Sequence, residues 1–185
     1  MVKKIIITGG LGYIGTELCK IYSGVSWHHQ IIVIDNRFIS ERVNQIRNWN
    51  MEFVHGDILD KDLVTKYFKD ADIVHHLAGV TDVPRVKGEA TKEKDDNIKL
   101  VGENGTQNIL DAISDKCKIV FPSTHVIYEG INKIKKEIKE DEESKPVLSY
   151  SLSKAVNEKQ LKKSGKNYII LRLGSVYGYS SDTTR

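Results

Sequence analysis

The sequence predicts an α/β domain organised on a doubly wound parallel sheet, and three observations predict it. Short β-branched runs alternate with longer amphipathic segments from one end of the chain to the other. Several of these runs are continuously apolar, the pattern of strands covered on both faces. The first run ends in the glycine-rich turn Thr8-Gly9-Gly10-Leu11-Gly12-Tyr13-Ile14-Gly15, which passes into a helical pattern. At 185 residues the chain suits one domain and can bury a sizeable core.

Taken in order, the β-branched and apolar runs Val2 to Thr8, Ile31 to Asp35, Met51 to Val54, Asp72 to Leu77, Lys118 to Pro122 and Tyr168 to Leu173 are the expected strands. The amphipathic segments between them, Tyr13 to Tyr22, Ile39 to Trp49, Asp60 to Lys69, Asn97 to Asp115 and Ser149 to Ser164, are the expected helices. Parallel strands need crossover helices, and right-handed crossovers on both faces give the strand order 3-2-1-4-5-6. Lys133 to Lys145 mixes five lysines with five acids, so it reads as a solvated loop or short helix without a function of its own.

Composition narrows the classes. With 39% hydrophobic and 29% charged residues the chain is not disordered, and no apolar run approaches the roughly 18 to 20 residues of a spanning helix. The 28 basic and 25 acidic residues leave a formal charge of +3, too small and scattered for a nucleic-acid or membrane surface. Cys19 and Cys117 lie far apart in periodic segments and read as buried thiols of a reducing compartment. Met1-Val2-Lys3-Lys4 leads straight into a strand with no cleavage site, so a cytoplasmic location is expected.

The first turn carries the clearest chemistry. Gly9 permits the sharp turn, Gly12 lets the backbone approach a pyrophosphate, and Gly15 lets the helix pack closely on the sheet. The helix N-terminus then offers N–H groups and a positive dipole end to phosphates through the backbone at Tyr13 and Ile14. Twenty residues beyond Gly15, Asp35 ends the second strand, with Asn36 beside it. A carboxylate there accepts both hydroxyl hydrogens of an adenosine ribose and repels a 2′-phosphate, so NAD is the expected cofactor. Arg37 is the residue that could cradle the 2′-phosphate of NADP instead. Asp57, just past the third strand, lies along the same rim, although its spacing serves a turn carboxylate or an N-cap equally well.

Tyr150 and Lys154 stand four residues apart on the last predicted helix, so both side chains emerge on one face. Bringing a tyrosine from its ordinary pKa near 10 to about 7 takes roughly 4 kcal/mol of preferential stabilisation of the phenolate. Lys154 supplies part of that field, which makes Tyr150 a candidate base for a hydroxyl proton. The adjacent pairs His28-His29 and His75-His76 point to opposite faces of a regular strand and make no metal site.

With TGGLGYIG, Asp35, GDI at Gly56 to Ile58, HLAG at His76 to Gly79, YSLSK at Tyr150 to Lys154 and RLGSVYG at Arg172 to Gly178, the chain resembles the extended short-chain dehydrogenase/reductases. Within them it is most similar to the NAD-dependent nucleotide-sugar epimerase/dehydratase family typified by UDP-glucose 4-epimerase. The resemblance implies a Rossmann fold with bound NAD, Asp57 and Ile58 near the adenine, and Leu77, Ala78 and Gly79 along the cofactor. It places Tyr150 and Lys154 at the catalytic pair beside the cofactor. Thr124 falls at the hydroxyl position that holds the substrate oxygen, with Ser123 as the local alternative. The implied substrate is a nucleotide sugar, epimerised by transient oxidation and re-reduction at a sugar carbon, with a homodimer as the candidate assembly. A sugar or steroid-like reductase and a non-enzymatic dinucleotide-sensing module are the alternatives.

Departures from the family pattern qualify this reading. His125 and Val126 stand where the family's 4,6-dehydratases carry the Asp-Glu pair of the elimination, and valine cannot move a proton. Gly79 replaces a more usual alanine. Gly102 replaces a helix asparagine, so that Asn104 or Asn97 compensates or the helix is locally altered. Ser175 replaces an asparagine that contacts the substrate phosphate. Residues 1–174 are expected to form the NAD-binding unit and 175–185 the start of a substrate-binding domain that lies outside the 185 residues. Its absence would leave the fragment inactive and an apolar face exposed near Val176 and Tyr177.

Overall fold

Six parallel strands carry the fold in a computed structural model that describes residues 1–81, 91–131 and 137–179. The strands are β1 (Lys4–Thr8), β2 (Gln30–Asp35), β3 (Glu52–His55), β4 (Ile73–His76), β5 (Lys118–Thr124) and β6 (Asn167–Leu173). The helices are α1 (Tyr13–Ser23), α2 (Ser40–Asn48), α3 (Lys61–Phe68), α4 (Lys92–Lys99), α5 (Gly105–Ala112) and α6 (Ser149–Lys163). Strand order is β3-β2-β1-β4-β5-β6, as the sequence predicts, with Ile6 of β1 level with Ile32 of β2 and Val74 of β4.

Side-chain alternation along β1 divides the core into two layers. Ile6 joins Ile32, Val74, Ile119 and Phe121 against Phe68, Ile109 and Leu161 of α3, α5 and α6. Ile5 and Ile7 join Val33 against Cys19 of α1 and Val43 and Ile46 of α2. Each fully buried isoleucine contributes about 2 kcal/mol of transfer free energy, so this sheet holds the C-terminal strand ends in a stiff row. β6 lies at the sheet edge, where Ile169 and Leu171 remain 40% and 44% exposed. Val176 and Tyr177 beyond it are also exposed.

One expected element differs in kind. The single helix Asn97 to Asp115 is three pieces: α4, which begins at Lys92 because Thr91 Oγ1 accepts from Lys94 N–H at 3.3 Å, a π-turn over Leu100–Asn104, and α5. It ends at Ala112 because Ile113 turns to extended backbone. Of the stretch Lys133 to Lys145, residues 137–145 are turns and irregular chain, and 132–136 lie outside the described residues. No helix among the described residues is long and apolar enough to cross a membrane.

Candidate active site

The glycine turn between β1 and α1 is built by close approach. Gly9 has φ +67°, and a Cβ there would lie 2.7 Å from the backbone nitrogen of Ala78. A Cβ on Gly15 would lie 2.3 Å from the Gly9 carbonyl, which is why α1 can start directly under the turn. Gly12 is the N-cap of α1, whose first turn carries no acidic residue. The positive helix end at Tyr13 and Ile14 is therefore not neutralised from within the helix. Gly10, which the spacing argument passes over, is equally constrained, since its Cβ would fall 2.1 Å from Val33 Cγ1.

Asp35 is 5% exposed at the end of β2 and accepts from Leu11 N–H at 2.9 Å and from Arg37 N–H at 3.0 Å. Arg42 donates to the Leu11 carbonyl, so one carboxylate and one guanidinium hold the two peptides that flank Leu11 in the turn. Arg37 Nε also lies 3.4 Å from Asp35 Oδ1, so the arginine expected to favour a 2′-phosphate is paired with the acid expected to repel one. Asn36 Nδ2 donates to Asp57 at 3.0 Å, and Asp57 also accepts from Leu59 N–H, so Asp57 is a turn carboxylate and a rim residue at once. The Ile58 side chain is 4% exposed and packed in the core beside Gly105, and its carbonyl accepts from Asn108 Nδ2 at 3.0 Å.

The stretch after β4 is pinned by a buried histidine. Thr8 Oγ1 accepts from Ala78 N–H at 3.0 Å and lies 3.1 Å from His76 Nδ1, while His76 Nε2 lies 2.9 Å from Thr106 Oγ1. Burial, and then the charge of Lys154, push the His76 pKa down to about 3, so the ring is a neutral strut between β1, β4 and α5. His75 faces the opposite layer, with Nε2 2.7 Å from Tyr22 Oη, as the strand alternation requires. Leu77 and Ala78 are half-buried, and a Cβ on Gly79 would meet nothing within 4 Å.

Tyr150 and Lys154 emerge from α6 into a cleft also lined by Ala78, Gly79, Gly102 and Phe121. Lys154 Nζ donates to the Pro122 carbonyl at 2.9 Å, stands 4.5 Å over the Phe121 ring and lies 5.9 Å from the centre of the Tyr150 ring. Burial of the ammonium end pushes its pKa down to about 8. Thr124, at the end of β5, caps a 3-10 turn (His125–Tyr128) by accepting from Val126 N–H at 3.2 Å, a bond that leaves its own hydroxyl hydrogen unused. Its neighbour Ser123 is committed elsewhere, donating to buried Glu158 at 2.6 Å. His125 is an exposed loop residue against the Leu173 carbonyl, and Ser175 is exposed beyond β6.

One part of this site escapes sequence reasoning. Glu158 binds Arg172 through both carboxylate oxygens, at 3.0 and 2.7 Å, and Arg172 reaches on to Tyr128 and the Glu140 carbonyl. Burial alone would raise the Glu158 pKa, and the bonds from Arg172 and Ser123 outweigh it and hold the carboxyl below its usual range. The available signal was its place on the Tyr150–Lys154 face, one helical step further on. The π-turn takes up an alternative that Gly102 raised in the sequence. Asn157 Nδ2 donates to the Gly102 carbonyl at 3.0 Å, and a Cβ on Gly102 would lie 2.2 Å from Ser153 Oγ, so the helix is locally altered where α6 crosses it.

Comparison with known proteins places this geometry. The sequence profile described as "NAD dependent epimerase/dehydratase family" matches residues 5–185. A putative UDP-glucose 4-epimerase of Methanocaldococcus jannaschii is 33% identical over 96% of this chain and 57% of its own length. A dTDP-D-glucose 4,6-dehydratase of Dictyostelium discoideum is 29% identical over 96% of this chain and 44% of its own. Among solved structures, a UDP-N-acetylglucosamine 4-epimerase of Methanobrevibacter ruminantium in complex with UDP-N-acetylmuramic acid superposes with a TM-score of 0.80, at 28% identity, over 100% of this chain and 58% of that one. The UDP-glucuronic acid 4-epimerase of Bacillus cereus in complex with NAD gives 0.79 at 26%, over 98% and 59%. The chain thus spans about half the length of the curated relatives it matches.

Proposed function

The chain belongs to the NAD dependent epimerase/dehydratase family, and from that premise we propose that it is the NAD-binding and catalytic part of a nucleotide-sugar 4-epimerase. The observation that carries the reading is Lys154, a desolvated ammonium fixed on the Pro122 carbonyl beside the Tyr150 ring and in one cleft with Ala78 and Gly79. The residues fit the cofactor on three counts: a helix end without an acid in its first turn, an inward-held carboxylate at the end of β2, and open space where a Cβ of Gly79 would be. Gly9, Gly12, Gly15 and the Tyr13 and Ile14 amides are assigned to the pyrophosphate, Asp35 and Asn36 to the ribose, and Asp57 with the Ile58 backbone to the adenine. Leu77, Ala78 and Gly79 are assigned to the remaining length.

NAD supplies the reversible two-electron acceptor for oxidation at the sugar carbon. Tyr150 accepts the proton of the sugar hydroxyl and returns it, Lys154 favours the phenolate by its charge, and Thr124 holds the substrate oxygen through its hydroxyl. Val126 has no proton to exchange and His125 is turned to the Leu173 carbonyl, which favours inversion over the elimination of a 4,6-dehydratase. Ser175 remains assigned to the substrate side, residues 1–174 to the cofactor unit and 175–185 to the approach to a substrate-holding part. A cytoplasmic location belongs to the same proposal, supported by two buried free thiols whose pKa values burial raises to about 12 and about 11.

The test is incubation of the full-length gene product with UDP-, GDP-, CDP- and dTDP-hexoses, followed by NMR. C4 inversion without consumption of added NADH is the expected result. Net oxidation of NADH would instead make the protein a reductase.

A further inference from the structure

Tyr150 lies in the first turn of α6, a helix that does not cap itself: its N-cap residue is Leu148, and its first turn contains no acid. A helix start leaves N–H groups without intrahelical partners at a positive dipole end. Here the partner comes from another element. One oxygen of Glu129 accepts from Val147 N–H at 2.8 Å, from Leu148 N–H at 2.7 Å and from the Ser151 hydroxyl.

Glu129 closes the 3-10 turn that begins at Thr124. Backbone bonds run alongside this tie, from Lys145 N–H to the Ile127 carbonyl at 2.9 Å and from Gly130 N–H to the Lys145 carbonyl at 2.8 Å. On the other side of Thr124, Ser123 donates to Glu158, eight residues along α6 from Tyr150. Thr124 is therefore bracketed by two carboxylate ties to the helix that carries Tyr150, one to the helix start and one to its middle.

We propose that Glu129 is a positioning residue, tying the first turn of α6 to the turn that follows Thr124 and so holding the Tyr150 and Thr124 hydroxyls at one separation. The proposal rests on the roles given to those two hydroxyls above. Three donors converging on one oxygen call for a carboxylate, because charge-assisted bonds are roughly twice as strong as neutral ones. Burial raises the Glu129 pKa, and the bonds from Leu148, Ser151 and Val147 outweigh it, so the group stays ionised through the neutral range. Glu129 is exposed, so its replacement removes the tie without opening the core.

The experiment compares Glu129→Ala and Glu129→Gln in the NAD-loaded full-length gene product. NMR follows the Thr124 methyl and Tyr150 ring signals, and turnover is measured with UDP-glucose and UDP-N-acetylglucosamine. In Glu129→Ala both signals should shift and broaden, and kcat should fall about tenfold or more with KM changed by less than about threefold, the pattern of misplaced reacting groups. Glu129→Gln, which keeps an acceptor oxygen but not the charge, should recover part of both and also reports if the alanine variant does not fold. Unmoved Thr124 and Tyr150 signals, or a rise in KM at unchanged kcat, would overturn the proposal. If the unmodified protein turns over neither sugar, the proposed activity falls and the two NMR signals alone decide the role of Glu129.

Discussion

Lys154 is held on the Pro122 carbonyl where its solvation is poor. Its pKa, lowered from 10.5 to about 8 by burial, means that at neutral pH the folded chain carries a desolvated ammonium that the unfolded chain hydrates freely. Between about pH 8 and 10.5 the unfolded chain binds the extra proton, so stability rises with pH across that window. Lys154→Met should therefore stabilise the chain at pH 7 by roughly 1 to 2 kcal/mol, the desolvation relief less the lost bond to Pro122, with the gain shrinking toward pH 10. The same substitution should lower turnover by about a hundredfold or more. Urea titrations at several pH values check the first claim, and a difference that does not vary with pH would show that the ammonium is not desolvated. Asp35 invites a second test at this scale. Asp35 holds Arg37 and is the acid assigned to the ribose, so on that assignment Asp35→Ala should weaken NAD binding and strengthen NADP binding, narrowing the gap measured by calorimetry. Tighter NADP than NAD binding by the unmodified chain would refute the assignment.

Helix continuity is decided by a crossing rather than by propensity. In an isolated helix Gly102→Ala would be stabilising by about 1 kcal/mol. Here the added methyl would meet Ser153 Oγ at 2.2 Å on α6, so the substitution should instead destabilise by about 1 to 3 kcal/mol. Ser153→Ala removes the obstructing oxygen, since Ser153 Cβ itself would stand at 3.6 Å. The double variant should recover most of the loss, and a denaturant double-mutant cycle reads the coupling directly. Strict additivity would mean that α6 is not what bends this segment into a π-turn.

Across the whole molecule, the groups assigned to NAD and to proton transfer are spread over residues 9–154 but are carried by one continuous sheet and its helices. Chain 1–185 should therefore bind NAD by calorimetry without turning over nucleotide sugars, because catalysis needs the substrate carbon held within about 3.5 Å of the acceptor. Relatives nearly twice as long would supply that hold from their remaining length. The exposed Ile169, Leu171, Val176 and Tyr177 should also make the chain associate with rising concentration in sedimentation experiments. Substantial epimerase activity in residues 1–185 would place the substrate site within the sheet and helices described here.

The strands, the glycine turn and the Tyr150–Lys154 pair were determined by the sequence on its own, because each rests on a local pattern: apolar runs for buried parallel strands, three-residue glycine spacing at a turn, four for a helix face; the sheet order then follows from right-handed crossovers. Tertiary structure alone decided which neighbour of an adjacent pair is committed to a distant partner. Ser123 and Thr124 are both buried hydroxyl residues at the end of β5, and Glu158, 35 residues away, takes the Ser123 hydroxyl while Thr124 caps the turn that follows. Ile58 is turned from the rim into the core because Gly105 leaves room for it. Glu129 looks like any charged loop residue until the start of α6 is brought against it. Nothing in local propensity encodes these choices, since each depends on a partner distant in the chain whose burial or unpaired donors make one arrangement favourable.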